Sequence, residues 1–339
     1  MNIKLLNIIN YRSFLLFILF STNALSAQNF ERVENIIGLG ILEENNGVAV
    51  ADIDNDNDLD VFVVAKSKDI EGVEKSHSRL FRNDNDGSFT DITFGSGLEF
   101  LLIDDTPPIN NPALNGDKYG AYWGDYNNDG YPDLLITQKY GIRVFKNLGN
   151  NTFEDITENI NVAGYSNCQF AGAVWFDYNR DGLLDFYLAD WKHCGGNLLF
   201  KNNGDDSFTN VTEETGAEEG PTLHSFNPTP IDINEDGYVD LYVPNDVNDP
   251  NQLYINNEGV NFTNQASLYG LANQFDDMCI ATADYNRDGL LDFFITGIDE
   301  NRLLRNDGNN TYSSQESLMG VEDTGWAWRA VFSDLDLDC

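Results

Sequence analysis

The chain carries a series of short apolar runs, each bounded by turn-forming residues. Apolar residues stand at consecutive positions in these runs and do not alternate with polar ones. This pattern predicts strands that are buried on both faces. The five runs cover residues 61–64, 134–136, 186–188, 241–243 and 293–295.

A second pattern follows each apolar run. A short segment leads to an asparagine, and an aromatic residue stands six positions after it. The pattern predicts a third strand, a turn and a fourth strand, so four antiparallel strands fill about 50 residues, the size of a propeller blade. The asparagines are Asn83, Asn147, Asn202, Asn256 and Asn306, and the aromatic residues are Phe89, Phe153, Phe208, Phe262 and Tyr312.

A polar motif of nine residues precedes each apolar run. It has Asp at positions 1, 5 and 9, Asp or Asn at position 3, and usually Gly at position 6. Oxygen atoms at positions 1, 3 and 5 of such a tight loop converge, position 7 offers a backbone carbonyl, and position 9 closes the shell. Hard oxygen ligands in a flexible loop suit Ca²⁺ better than Mg²⁺ or zinc.

Five copies of this motif are complete, so we expect five calcium sites. Their predicted ligands are Asp52, Asp54, Asp56, Asp58 and Asp60; Asp125, Asn127, Asp129, Tyr131 and Asp133; Asp177, Asn179, Asp181, Leu183 and Asp185; Asp232, Asn234, Asp236, Tyr238 and Asp240; and Asp284, Asn286, Asp288, Leu290 and Asp292. A sixth copy has Asp334, Asp336 and Asp338 and is cut off at Cys339, so its site is incomplete. The first copy has Asn57 at position 6, and asparagine tolerates the left-handed backbone that this position needs.

The motif has two alternative interpretations. A helix-loop-helix calcium site needs Glu at position 12 and a helix after it, but position 12 lies in an apolar β-type run in all five copies. The helical site is therefore excluded. The remaining alternative is an Asx-rich turn that binds nothing, and five copies in one register argue against it.

The N-terminus has the features of a secretory signal peptide. Lys4 and Arg12 form a positively charged region before an apolar stretch at 14–20, and residues 21–27 are mostly small or polar. The apolar stretch is shorter than the roughly 20 residues of a membrane span. We expect residues 1–27 to be removed and residues 28–339 to form the mature domain. The expected location is extracellular or at the cell surface (the periplasm in a bacterium), with no membrane insertion after signal removal.

Composition narrows the classes of partner. The chain has 339 residues, with 19 Lys and Arg against 56 Asp and Glu, for a formal net charge of -37. So acidic a surface repels nucleic acid and anionic lipid and favours cations. The apolar fraction of 41% argues against disorder.

The four cysteines are too few for a disulfide-dense scaffold. Cys168 and Cys194 fall on the same predicted face of the third blade, which favours a disulfide in an exported protein. The alternative is a nucleophile pair of His193 and Cys194, for which no third orienting group is evident. Cys279 lies in a predicted first strand and is interpreted as a small core residue.

The spacing also predicts a blade count. Residues 30–33 stand where a fourth strand precedes the first polar motif, so they are expected to complete the last blade of a closed ring. We therefore expect an all-β, seven-bladed propeller, represented here by five complete blades and part of a sixth.

These motifs resemble FG-GAP/VCBS repeats, the calcium-loop blades of integrin α-subunit propellers. The asparagine and aromatic spacing, followed by Thr-Asp-Ile-Thr or Asn-Val-Thr, is most similar to the cartilage acidic protein group. The resemblance implies an exported binding or adhesion protein in which calcium is structural. In that group an ASPIC/UnbV domain often follows the propeller.

Loops on the face opposite the calcium motifs are the expected ligand site, because long loops on a rigid scaffold often carry recognition. They include the insertions at 66–78 and 94–118 and the loop with Trp191. We expect a protein or glycan ligand there, and no enzymatic activity. One alternative is a polysaccharide lyase or hydrolase that uses His77, His193 or His224. Another is a structural scaffold for a further C-terminal domain.

Overall fold

In the computed structural model, the described residues are 45–65, 78–99, 118–139, 141–160, 162, 165, 168–192, 194–218, 223–323 and 325–333. Asn35–Phe332 form one compact unit, and the other unit contributes only Ser333 to the described residues. Several expectations fall outside the described residues: the signal peptide, the strand at 30–33, most of the two insertions, His77, His193, and Asp334, Asp336 and Asp338.

The described chain folds into five four-stranded sheets, which we number as blades 1 to 5. Blade 1 contains β1 (Asn45–Ala51), β2 (Asp60–Ala65), β3 (Arg79–Asn83) and β4 (Phe89–Asp91). Blade 2 contains β5 (Lys118–Gly124), β6 (Asp133–Gln138), β7 (Gly141–Asn147) and β8 (Phe153–Asp155). Blade 3 contains β9 (Gln169–Phe176), β10 (Asp185–Lys192), β11 (Leu198–Asn202) and β12 (Phe208–Asn210). Blade 4 contains β13 (Thr229–Ile231), β14 (Asp240–Val243), β15 (Gln252–Asn257) and β16 (Asn261–Asn264). Blade 5 contains β17 (Asp277–Ala283), β18 (Asp292–Gly297), β19 (Arg302–Gly308) and β20 (Thr311–Ser314).

Each blade is an antiparallel meander in which consecutive strands pair. This confirms the predicted unit of four strands. The second strand of every blade begins at position 9 of the polar motif, and the predicted asparagine lies at or near the end of the third strand. The fourth strand begins at the predicted aromatic residue in blades 1 to 3 and one residue earlier in blades 4 and 5.

Neighbouring blades pack through apolar clusters, one at each of the four junctions between the described blades. Leu134 and Ile136 in β6 contact blade 1, whereas Leu135 between them contacts blade 3. All three are buried. The consecutive apolar positions are therefore explained, because a blade between two others must be apolar on both faces.

The first strands of neighbouring blades lie side by side. A parallel bridge joins Asn227 before β13 to Cys279 in β17, and a Cβ added to Gly172 in β9 would lie 2.7 Å from the Cα of Asn227. This close approach requires small residues. Cys279 is buried there, as expected for a core residue.

Three short helices, which the sequence patterns did not predict, follow the fourth strands of blades 3 to 5. They are α1 (Thr212–Thr215), α2 (Ala266–Tyr269) and α3 (Glu316–Met319). After α3, the chain returns to blade 5, where the Ala327 amide donates to the Gly297 carbonyl at 3.1 Å. No helix within the described ranges is long and apolar enough to cross a membrane.

Candidate functional site

The five polar motifs form the loops between the first and second strands, and we call them metal loops 1 to 5. They cover residues 52–60, 125–133, 177–185, 232–240 and 284–292. In metal loop 2, Asp125 at position 1 accepts hydrogen bonds from the amides of Asp129 (3.0 Å) and Gly130 (2.8 Å). The same pair of bonds recurs in the other four loops. Position 1 therefore folds the loop around its own carboxylate.

The sharp turn in each loop needs left-handed backbone at positions 4 and 6. Position 6 has a φ of 85 to 89° in the four loops with glycine, and Asn57 adopts a φ of 72° in metal loop 1. The expectation that asparagine substitutes for glycine there is confirmed. The amide at position 7 donates to the position 5 carboxylate in every loop, at 2.8 to 3.1 Å.

Position 9 has a structural role that the spacing alone did not indicate. Asp133 is fully buried, and its two oxygens accept hydrogen bonds from the amides of Tyr126 (3.2 Å) and Asn147 (2.8 Å). The equivalent aspartates Asp60, Asp185, Asp240 and Asp292 make the same two contacts. Each therefore ties its loop to the end of the third strand.

Burial opposes ionisation of these carboxyl groups. Desolvation, augmented by the other aspartates of each loop, raises the pKa of Asp133 and Asp185 to about 7. It raises the pKa of Asp60 and Asp240 to about 6, although the two backbone donors act in the opposite direction. A bound divalent cation would favour the ionised form of such groups.

Metal loop 1 brings three carboxylates together. Oxygens of Asp52, Asp54 and Asp60 lie within 4.8 Å of one another. One oxygen of Asp54 and both oxygens of Asp58 are buried without a hydrogen-bond partner among the described residues. Unpaired buried acceptors of this kind fit a hard divalent cation. Metal loops 2 to 5 share the backbone arrangement but have asparagine at position 3, and thus one carboxylate fewer there.

Each of the first three metal loops contacts the next one through its position 4 side chain. The Asn55 amide group donates to the Gly130 carbonyl, and that of Asn128 donates to the Gly182 carbonyl, both at 2.9 Å. In metal loop 3, the Arg180 guanidinium lies 5.1 Å from the ring centre of Tyr238 in metal loop 4. Nothing in the spacing distinguished position 4, because its side chain is not a predicted ligand.

The asparagine that ends the third strand also joins two blades. The side-chain amides of Asn147, Asn202 and Asn256 donate at 2.8 Å to the position 2 carbonyls of the preceding blade, which belong to Ile53, Tyr126 and Tyr178. All three asparagines are buried. The recurrence of this asparagine was visible in the sequence, but its bond to the neighbouring blade was not.

The opposite face, where the second and third strands connect, carries the predicted disulfide. Cys168 and Cys194 are bonded, with their Cα atoms 5.1 Å apart, which confirms the pairing. Since Cys194 has no free thiol, the alternative of a nucleophile pair with His193 is excluded. The disulfide holds the loop that follows Trp191, and such bonds are typical of oxidising compartments.

Aromatic and charged groups surround Trp191 on this face. The Trp191 indole N–H donates to Asp246 at 3.4 Å, and its ring lies 6.4 Å from that of His224. His224 Nδ1 is 2.9 Å from a carboxylate oxygen of Asp249. The Lys192 ammonium lies 3.7 Å from the Trp191 ring centre. This cluster, which we call the Trp191 cluster, occurs in blades 3 and 4 and does not repeat around the described blades.

A second asparagine repeat lies beneath the opposite face. Asn197, Asn251 and Asn301 precede the third strands and accept hydrogen bonds from the amides of Asp190, Asn245 and Gly297. The sequence patterns considered above did not predict these residues, although the asparagine at a fixed place before the third strand was a usable signal. A cavity of about 660 Å³ lies nearby, with Cys194, Asn210 and Glu213 in its wall.

The repeats match a family of known proteins. The profile of the FG-GAP-like repeat matches residues 125–188, 177–243, 232–295 and 284–339. The chain belongs to the FG-GAP-like repeat family. Its FG-GAP-like blades are 25% identical over 284 residues to human cartilage acidic protein 1, covering 76% of this chain and 40% of that protein. The chain thus spans less than half the length of this relative.

Two solved structures resemble the FG-GAP-like fold at low sequence identity. One is a lectin from Agrocybe aegerita that recognises non-reducing terminal N-acetylglucosamine, with 16% identity and a TM-score of 0.47, covering 80% of this chain and 65% of the lectin chain. The other is BBS1N in complex with ARL6DN, with 9% identity and a TM-score of 0.44, covering 77% of this chain and 66% of that chain.

Proposed function

We propose that this FG-GAP-like chain is a calcium-binding module of an exported protein, which binds a protein or glycan ligand on the face opposite its metal loops. Calcium is structural in this proposal, and the chain catalyses no reaction. The observation that carries it is the convergence of the Asp52, Asp54 and Asp60 carboxylates in a loop whose fold recurs in four further blades.

Calcium would be held by the oxygens at positions 1, 3, 5 and 9 and by the position 7 carbonyl of each loop. Its charge would offset the repulsion among aspartates that otherwise accumulates in each turn. Because position 9 also bonds to the third strand, a filled site would stiffen the corner of its blade. Five such sites are proposed, one in each described blade.

The Trp191 cluster supports ligand binding on the opposite face. A partly exposed tryptophan with acidic, basic and imidazole groups around it offers both an apolar surface and directional hydrogen bonds. The disulfide fixes the adjoining loop before a ligand arrives, which lowers the entropy lost on binding. Cys194 is oxidised and therefore offers no thiol nucleophile on this face.

The proposal also includes export of the protein and a ring with more than the five described blades. The Cys168–Cys194 disulfide supports an oxidising location. The segment that follows α3 supports a further blade, because the ring of Phe332 lies 6.3 Å from that of Phe294 in blade 5. The seven-bladed ring expected from the spacing stays a prediction.

The test is thermal unfolding of the full chain in millimolar Ca²⁺ and in excess EGTA, together with bound calcium per chain. Each site filled at a hundredfold excess over its Kd adds about 2.7 kcal/mol to the free energy of unfolding, so the melting temperature should fall clearly with EGTA. An unchanged melting temperature with no bound calcium would overturn the calcium proposal. For the ligand, glycan and secreted-protein arrays should give binding that Trp191→Ala removes and Asn203→Ala, on the metal-loop side of blade 3, leaves intact.

A further inference from the structure

We propose that the cation site of metal loop 1 is shared between two blades, with the side-chain amide of Asn151 from blade 2 completing the group formed by Asp52, Asp54 and Asp60. Asn151 lies in the turn between β7 and β8 and is not part of any polar motif. This inference rests on the proposed binding of calcium by metal loop 1.

The two side chains that meet at the blade junction both carry unpaired oxygens. Asn151 Nδ2 lies 3.2 Å from one oxygen of Asp54. The other oxygen of Asp54 and the amide oxygen of Asn151 are buried without a hydrogen-bond partner among the described residues. Two touching side chains with unpaired buried acceptors are costly unless a positive group lies between them.

A calcium ion supplies that positive group, because amide oxygens and carboxylates are both calcium ligands. A half-turn of the Asn151 amide exchanges its nitrogen and oxygen and presents the oxygen beside Asp54. The amide then contributes a neutral oxygen to a site that already contains three carboxylates, without adding to their mutual repulsion.

The other metal loops show why this arrangement belongs to loop 1. Their position 3 residue is asparagine, and its side-chain oxygen is bonded within its own loop: that of Asn127 accepts from the Asp129 amide at 2.9 Å, and that of Asn179 accepts from the Asp181 amide at 3.0 Å. Among the described residues, the position 5 amide of metal loop 1 makes no such bond to Asp54. Its carboxylate is therefore left facing the neighbouring blade.

The residue that corresponds to Asn151 is again an asparagine in blade 5, Asn310, but the metal loop of the preceding blade has Asn234 at position 3 and thus no carboxylate there. In blades 3 and 4 the corresponding residue differs. It is Asp206 in blade 3, where the carboxylate accepts a hydrogen bond from the Tyr126 hydroxyl at 2.9 Å, and it is Val260 in blade 4. At these junctions the turn contributes no neutral oxygen next to an unpaired position 3 carboxylate. Filling metal loop 1 should consequently link blades 1 and 2 through the ion.

The test is calcium binding by Asn151→Gly, with Asp206→Gly as the matched control. Both residues have a positive φ, of 63° and 60°, so glycine removes the side chain without straining the backbone. We expect Asn151→Gly to weaken calcium binding at one site by about tenfold, the scale of losing a supporting group at a metal site. Asp206→Gly should leave that site unchanged.

Two further variants separate a ligand from a hydrogen-bond donor. Asn151→Asp keeps an oxygen but removes the donor, so it should retain the affinity if the oxygen binds calcium and lose it if only the donor matters. In an Asp54→Asn background, Asn151→Gly should cost much less than in the native chain, because the shared site is already impaired.

The inference is overturned if Asn151→Gly binds calcium as tightly as the native chain, or if Asn151→Asp is as weak as Asn151→Gly. A native chain that binds no calcium would instead overturn the proposed function, which the same titration reports separately.

Discussion

The metal-loop face and the opposite face of this molecule differ in how far they repeat. Every described blade has the same carboxylate, amide and left-handed backbone pattern on the metal-loop face. Among the described residues, the surface of the opposite face has features that occur once, namely the disulfide and the Trp191 cluster. A feature that must be present in every blade serves the architecture, whereas a feature found in one place is available for recognition.

The opposite face also differs between its surface and the layer beneath it. The opposite face has its own repeat, the asparagines Asn197, Asn251 and Asn301, and these are buried beneath the surface groups. Repeating and singular residues therefore coexist on that face, separated by depth. This separation lets the exposed groups vary without disturbing the strands that carry them.

The largest expected effect concerns pH and the calcium-free protein. The carboxyl groups of Asp133 and Asp185 have a folded-state pKa of about 7, raised by burial from 3.8. Between pH 4 and 7 the folded state thus binds more protons than the unfolded state, so stability should rise as the pH falls, by about 1 kcal/mol per pH unit for each group. Below about pH 4 both states are protonated and the gain ends.

Chemical denaturation in EGTA at pH 7.5 and 5.5 measures this effect. Calcium-loaded protein should behave oppositely, because protons compete with the ion for the same carboxylates, so the stabilisation by calcium should shrink at pH 5.5. If the calcium-free protein instead lost stability on mild acidification, the buried aspartates would not be the dominant titrating groups.

A smaller effect is expected from the asparagine that joins two blades. Asn202→Ala removes donors to the carbonyls of Tyr126 and Leu184 and an acceptor for the Gly204 amide. Buried backbone groups then lack partners, and the free energy of unfolding should fall by about 2 kcal/mol. Asn203→Ala is the matched control, since Asn203 is the exposed neighbour. Urea denaturation measures the stability lost in each variant. Equal losses would contradict the interpretation that the buried asparagine stabilises the fold by joining two blades.

The smallest expected effect tests the contact between successive metal loops. Asn128→Gly removes the exposed bond to Gly182 while preserving the left-handed backbone at position 4. We expect less than about 1 kcal/mol of stability to be lost, with a measurable weakening of calcium binding at metal loop 3. Glu235→Gly is the control, because Glu235 holds the same position with a φ of 59° and makes no hydrogen bond to metal loop 5 within the described ranges. Calorimetric titration that gave identical affinities for both variants would show that the loops act independently.

The strands and polar loops of the local repeat were predicted from the sequence, whereas the short helices and the asparagines before the third strands were not. Consecutive apolar positions specified strands buried on both faces, and the spacing of Asp125, Asp129 and Asp133 specified a loop that folds around its own carboxylates, because those interactions join residues close in the chain. The glycine and asparagine at position 6 marked the sharp turn for the same reason. Four strands per blade followed from the order of these signals.

Tertiary structure alone decided which residues meet across blades. The bond from Asn202 to Tyr126, the contact from Asn151 to Asp54 and the Trp191 cluster all join groups distant in sequence. No periodicity encodes such pairs, since they depend on how each sheet is turned against its neighbour. The raised pKa of Asp133 is of the same kind, because it arises from burial that only the packed blades produce.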